Sequence, residues 1–376
     1  MIKVEQFFES LQKNGINNFS GVPDSLLKNI CAYITDNSDP QQHIITANEG
    51  SAIALAAGQY IASGKPSLVY MQNSGFGNAL NPLLSLADKE VYSIPMLIMV
   101  GWRGEPGVKD EPQHIKQGAV MEDLLNACKL KYFVIDNSTN NIDELLNKAV
   151  SEAISSKSPI VLLVKKGTFA PYKLKNTISN LTSIKREEAI EEILNSSKSD
   201  DVFVSTTGMP SRELFEIRKK RNDNHNRDFL TVGSMGHASM IALGIAQNLK
   251  STVFCIDGDG ASIMHLGNLT STGQSSLSNY IHIILNNAAH DSVGGQPTSA
   301  NEISLETIAK SCGYKSTISI NDLNELSKNI NNARNLPGPH LIEIKVSKGS
   351  RDDLGRPTST PTENKNSLME YLLKSK

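Results

Sequence analysis

Short, mainly apolar runs, broken only by His282, Glu343 and Lys345, recur along the chain at Leu68–Met71, Met96–Val100, Ile160–Val164, Val202–Val204, Val253–Ile256, Ile281–Leu285 and Leu341–Val346. Each is followed closely by Gly, Asn or Pro, and stretches with helical spacing lie between them. Runs that do not alternate with polar residues predict strands buried on both faces, as in a parallel sheet covered by helices on either side. The expected fold class is α/β, of the doubly wound kind.

The pattern also repeats. In the first half, Ile53-Ala54-Leu55 opens a helix of small residues, followed by the strand ending at Met71, a glycine turn at Gly75–Gly77, a second helix and the strand around Ile94–Val100. In the second half, Ile241-Ala242-Leu243 opens a similar helix, followed by the strand ending at Ile256, the turn Gly258–Gly260, a helix and the strand starting at Ile281. Nearly equal spacing of these landmarks predicts two domains of one topology. Between Lys165 and Arg186 the chain turns polar, with Gly167, Pro171 and a run of Lys, Asn, Ser and Thr. The expected division is a first domain over 1–170, a linker over 171–184 and a second domain over 185–376.

Length and charge narrow the function. A chain of 376 residues allows two domains that each bury a core. The longest apolar run, Ile94–Val100, is too short to span a bilayer. Lys and Arg total 37 against 39 Asp and Glu, so no basic excess exists to neutralise a phosphate backbone, and nucleic acid is not an expected partner. The first residues carry Glu5 and no apolar stretch of the signal-peptide kind follows, so a cytoplasmic location is expected. Cys31, Cys128, Cys255 and Cys312 are scattered without a CxxC pair and read as reduced core thiols.

Gly258-Asp259-Gly260 sits at the carboxyl end of a strand, where open α/β sheets bind ligands. Alone it reads as a tight turn whose Asp caps the next helix. Asn286-Asn287 ends the next strand, and a carboxylate with a carboxamide from neighbouring strand ends is an all-oxygen set suited to Mg²⁺ or Ca²⁺ rather than zinc. Glu49, in Ala47-Asn48-Glu49-Gly50-Ser51-Ala52, reads either as a partner for a helix dipole or as a functional acid.

With these residues in place, the sequence resembles the thiamine diphosphate-dependent enzymes, whose signature is Gly-Asp-Gly followed at about this interval by Asn-Asn. The resemblance implies that Asp259, Asn287 and the carbonyl of Ala289 hold Mg²⁺, which clamps the diphosphate of thiamine diphosphate. Gly258, Gly260 and Ala261 at a helix start, and the turn at Thr207-Gly208, would line that diphosphate with amide donors. It implies that Glu49 is the catalytic glutamate, bonded to N1′ of the aminopyrimidine from an apolar pocket that raises its pKa. In Gly233-Ser234-Met235-Gly236 it gives the Gly233 carbonyl to the 4′-amino group and places Met235 beneath the bent cofactor; without the resemblance, Met235 reads as core. Many decarboxylases of the family carry a third, central domain, and here the two cofactor-binding domains would be joined directly. Because the family's cofactor bridges two subunits, the resemblance implies at least a homodimer with the cofactor at its interface.

Longer segments resemble the branch of this family that decarboxylates 3-phosphonopyruvate to phosphonoacetaldehyde, a reaction of phosphonate biosynthesis. They are the segments 21–28, 70–75, 101–114 and 286–296; one departure is Ala288, where the family commonly has glycine. A substrate with a carboxylate and a phosphonate needs fixed cations and hydroxyl or amide donors on loops at strand ends. Arg103, Lys109 and His114 share one such loop, Asp24, Ser25 and Lys28 follow a first strand, and Asn73 and Ser74 end another. These are the candidate substrate residues, although each cation also reads as solvated surface. His290 and His114 are the candidate proton donors. Arg351 and Arg356, in the segment 349–357, are a candidate C-terminal closing element.

Three other readings bear weighing. Sulfopyruvate is similarly shaped with one charge fewer, and the extra cations lean towards phosphonate. A nicotinamide dehydrogenase would need a third glycine in Gly75-Phe76-Gly77-Asn78-Ala79-Leu80, which is missing. A regulator that binds the cofactor without catalysis would have no use for Glu49.

Overall fold

The computed structural model describes residues 1–176, 179–180 and 182–374. It forms two compact units, residues 1–177 with 290–296, and residues 178–289 with 297–376. Within the linker expected over 171–184, residues 177, 178 and 181 lie outside the described residues.

The first unit holds a parallel sheet of β1 (Phe19–Gly21), β2 (His43–Ile45), β3 (Leu68–Gln72), β4 (Leu97–Gly101), β5 (Lys131–Ile135) and β6 (Ile160–Val164), in the order β2-β1-β3-β4-β6-β5. The second holds β7 (Val202–Ser205), β8 (Asp228–Leu230), β9 (Val253–Gly258), β10 (Tyr280–Asn286), β11 (Ser316–Ile320) and β12 (His340–Lys345), in the order β11-β12-β10-β9-β7-β8. Read from its other edge and counted from its own first strand, the second order is the same as the first. The echo between the halves is thus one topology used twice.

Each of the seven apolar runs forms a strand. The runs are continuous because successive residues enter different cores. In β3, Leu68 and Tyr70 pack on one face of the sheet while Val69 and Met71 pack on the other. In the second unit, Phe254 and Ile256 of β9 face one core and Val253 and Cys255 face the other. Each such fully buried aliphatic side chain contributes about 1.5–3 kcal/mol. Cys31 and Cys255 are buried free thiols, as expected of core hydrophobes.

In both sheets the strand order changes direction between the first and third strands. A crevice therefore opens at the carboxyl ends of β1 and β3, and a second at those of β7 and β9. Asp24 and Asn73 lie just beyond the first pair; Thr207 and Asp259 lie just beyond the second. No helix among the described residues is long and apolar enough to cross a membrane.

Candidate active site

The glutamate half-site is built on the helix Glu49–Ser63. Asn48 caps it by accepting from the Ser51 amide at 2.9 Å, which fixes Glu49 as the first helical residue. Glu49 is only 4% exposed, and burial raises its pKa. Asn78 opposes that rise by donating to Glu49 Oε2 at 2.8 Å. A Cβ on Gly75 would lie 2.1 Å from Glu49 Oε1, so any side chain there would push the carboxyl out of place. Gly50 allows a close approach in the same helix: a Cβ there would come within 2.9 Å of the Asn78 carbonyl oxygen. The result is a carboxyl held in an apolar setting and oriented by one amide, suited to sharing a proton.

A second cluster in the same unit centres on Arg103. Its Nε donates to Asp110 Oδ2 at 2.7 Å, its Nη2 to Asp110 Oδ1, and its Nη1 to Ser25 Oγ at 2.6 Å. Asn73 fixes the backbone of Arg103, donating to its carbonyl at 2.8 Å and accepting from its amide at 3.2 Å. Asp24 is fully buried; its Oδ2 accepts from the Leu26 and Leu27 amides, while Oδ1 has no hydrogen-bond partner. Burial lifts its pKa to about 6, against the pull of the Leu26 amide and of Arg103. Asp24 Oδ2 also occupies the space beside Gly101, where a Cβ would lie 2.1 Å from it. His114, in the helix Pro112–Ala119, is buried with Nδ1 unpartnered. Burial first, then Arg103, pushes its pKa down to about 4.

The expected excess of cations is not found in this cluster. Asp110 neutralises Arg103, and His114 is uncharged at neutral pH. Lys28, Lys109 and Ser74 are exposed, the hydroxyl of Ser74 accepting from Gln72. The lean towards phosphonate drawn from extra cations therefore rests on the exposed Lys28 and Lys109. His290 is half-buried, and burial lowers its pKa to about 4 as well.

The candidate diphosphate half-site occupies the second unit. Gly208, with φ of 95° and ψ of −136°, adopts a conformation that only glycine enters freely, and it opens the helix Met209–Lys220. Thr207 Oγ1 accepts from the Gly233 amide at 2.9 Å, tying the end of β7 to the loop 233–236. In that loop Gly233, Ser234 and Gly236 all have positive φ, which leaves the partly exposed Met235 on a tight turn rather than in plain core. Gly258 ends β9, and Asp259, Gly260 and Ala261 begin the next short helix.

Asp259 is 3% exposed and accepts from the Thr298 hydroxyl and from the backbone amides of Gly260 and Asn287. Burial still lifts its pKa to about 6, and no Lys or Arg is among the groups that offset this. Asn287 and Ala289 are buried beside the end of β10, with the Ala289 amide donating to Asn287 Oδ1 at 3.1 Å. A buried carboxylate without a cation, next to carboxamide and carbonyl oxygens, fits a hard divalent ion: its charge would supply what the protein does not.

Asn78, Asp110 and Thr298 escaped the sequence reading. Asn78 and Asp110 stand inside segments that were weighed for other reasons, so a carboxamide one turn past Gly75 and an Asp near Arg103 were available signals. Thr298 is 39 residues from Asp259, and nothing in the spacing marks it. Arg351 donates to Glu187 at 2.8 Å and Glu216 at 2.7 Å and pairs with Asp353, which straps the segment to helices of its own unit.

Two parallel sheets of one topology, one with a buried glutamate and the other with an all-oxygen cluster that fits a divalent ion, define an enzyme of the thiamine diphosphate type. Family comparison agrees: "Thiamine pyrophosphate enzyme, N-terminal TPP binding domain" matches residues 3–127, and "Thiamine pyrophosphate enzyme, C-terminal TPP binding domain" matches 206–344. The chain belongs to the thiamine pyrophosphate enzymes. It is 33% identical to the phosphonopyruvate decarboxylase of Streptomyces viridochromogenes, over 96% of this chain and 93% of that one. It is 31% identical to the phosphonopyruvate decarboxylase of Streptomyces hygroscopicus, over 96% and 92%. The sulfopyruvate decarboxylase of Methanosarcina acetivorans is 29% identical over 84% of both chains. The chain is thus a thiamine diphosphate-dependent carboxy-lyase of the phosphonopyruvate and sulfopyruvate decarboxylase type.

Proposed function

We propose that the chain decarboxylates 3-phosphonopyruvate to phosphonoacetaldehyde and carbon dioxide, with Mg²⁺ beside thiamine diphosphate, as a homo-oligomer serving phosphonate biosynthesis. The observation that carries the substrate is the likeness, over nearly the whole chain, to two phosphonopyruvate decarboxylases. When bound, the cofactor's thiazolium supplies the electron sink that lets carbon dioxide leave a 2-oxo acid.

This chain's residues do the rest. Asp259, Asn287 and the Ala289 carbonyl would hold the metal, and the amides around Gly208 and Gly260 would line the diphosphate. Glu49, its proton affinity raised by burial, would exchange a proton with the aminopyrimidine. Asp110 and Ser25 use three of the five N–H donors of Arg103, and the other two would meet a substrate oxyanion; Ser25, Asn73 and Asp24 would frame it. Burial keeps His114 and His290 neutral, and an anionic substrate beside them would raise their affinity for the proton delivered to the product carbon.

Sulfopyruvate is the second reading, favoured by the Methanosarcina relative and by an Arg103 cluster whose charge is already balanced. The test is carbon dioxide and aldehyde release from both oxo acids by the purified protein with thiamine diphosphate and Mg²⁺. A clear preference for phosphonopyruvate is expected; turnover of sulfopyruvate alone would transfer the assignment. Cofactor binding without turnover of either would leave the fold and sink both.

A further inference from the structure

We infer that Glu343, on β12, is a positioning residue for the diphosphate half-site, acting through Asn286 on the loop that carries Asn287 and Ala289. The inference rests on reading that loop as part of the metal site. In the parallel pairing of β10 with β12, Ile284 faces Glu343 and Asn286 faces Lys345. Glu343 is 2% exposed, and its Oε1 accepts from Asn286 Nδ2 at 2.6 Å and from Lys345 Nζ at 2.7 Å.

An ionised carboxylate can only accept. It therefore forces the fully buried Asn286 to turn its amide nitrogen towards β12 and its carbonyl oxygen the other way, where it accepts from the Ala288 amide at 2.9 Å. That bond closes the turn in which Ala288 has a φ of 56°, a left-handed conformation that side-chain-bearing residues rarely adopt. The Ala288 carbonyl in turn accepts from the Thr298 amide at 3.0 Å, and the Thr298 hydroxyl donates to Asp259. A single run of hydrogen bonds thus leads from Glu343 through Asn286, Ala288 and Thr298 to the aspartate of the metal site.

The bland alternative is an ion pair between the buried Glu343 and the partly exposed Lys345 that only steadies the sheet. A pair open to solvent on one side adds little to stability, so a role in aiming an amide is the better account of a carboxylate kept here. The two accounts differ in what they predict for Asn286. A sheet-steadying pair predicts a change in melting temperature with cofactor affinity unmoved, whereas the aiming role requires a donor facing Glu343 and predicts that cofactor affinity follows it.

The experiment is calorimetric titration of the cofactor-free protein with thiamine diphosphate in saturating Mg²⁺, alongside apo melting temperatures and KM for the oxo acid at saturating cofactor. Glu343→Leu is expected to weaken cofactor binding by about tenfold or more. Asn286→Asp, which sets two carboxylates face to face, should do the same. The double change Asn286→Asp with Glu343→Gln restores one donor and one acceptor across the contact, and should recover binding to within about threefold of wild type. KM should stay within about twofold, because substrate is held from the other unit. Wild-type cofactor affinity in both single variants, or no rescue by the double change, overturns the role; should Glu343→Leu not fold, the Asn286→Asp and double variants decide. Absence of Mg²⁺-dependent binding in the wild-type protein would remove the metal-site reading and this role together.

Discussion

The two half-sites solve opposite electrostatic problems. In the first unit the central cation, Arg103, is already matched by Asp110, with the buried Asp24 as a further carboxylate. In the second unit no Lys or Arg among the described residues pairs with the buried Asp259, so a divalent ion would supply the opposite charge there. A matched cation can hold its shape and admit an anion through unused donors. An unbalanced carboxylate gives metal binding a large electrostatic gain.

The contrast can be broken at several points. The largest effect is expected from Glu49→Gln, which keeps the shape but removes the exchangeable proton: turnover should fall by about 10²–10⁴-fold while calorimetry still shows cofactor binding. Undiminished turnover would remove Glu49 from the chemistry. Next, Asp259→Asn should weaken Mg²⁺-dependent cofactor binding by about 100-fold, yet leave the cofactor-free protein as stable as wild type or more so. A large drop in apo melting temperature would show that Asp259 is structurally satisfied without a cation.

Asp110→Asn attacks the balanced side. It leaves the bidentate partner of Arg103 with one acceptor oxygen, and kcat/KM should fall by about tenfold with cofactor affinity unchanged. An unaltered kcat/KM would mean that Arg103 needs no orienting partner. The smallest effect concerns pH and stability alone. Burial lowers the pKa of His43, whose Nε2 lies 2.7 Å from the Tyr70 hydroxyl, from 6.5 to about 4. Between those values the unfolded chain binds the proton and the folded chain does not, so His43 costs stability as pH falls from 6.5 towards 4. His43→Gln should narrow the gap between melting temperatures at neutral and acidic pH by about 2–4 °C, with turnover unchanged. A gap as wide as wild type would place the acid sensitivity elsewhere.

Strands buried on both faces were legible because each residue must be apolar whichever way it points. The edge strands β2, β5, β8 and β11 are absent from the seven apolar runs for the converse reason. An edge strand is half solvated, and Lys131–Ile135 and Ser316–Ile320 carry polar or exposed positions that blur the signal. The candidate metal site was legible because Gly258-Asp259-Gly260 and Asn286-Asn287 are each local and each ends a strand. The Arg103 cluster was legible only as an inventory of residue types, since its charge balance depends on Asp110 folding back onto the guanidinium.

The sequence by itself determined the two α/β units, the repeat between them, and the residue types at both half-sites, because strand burial and tight turns write themselves into neighbouring residues. Only the tertiary structure decided which groups are charged and which are spent. Arg103 is matched by Asp110, Arg351 is bound to Glu187 and Glu216, and Asp259 pairs with no Lys or Arg among the described residues. Those outcomes depend on desolvation and on contacts between residues far apart in the chain, and neither is a property of local sequence.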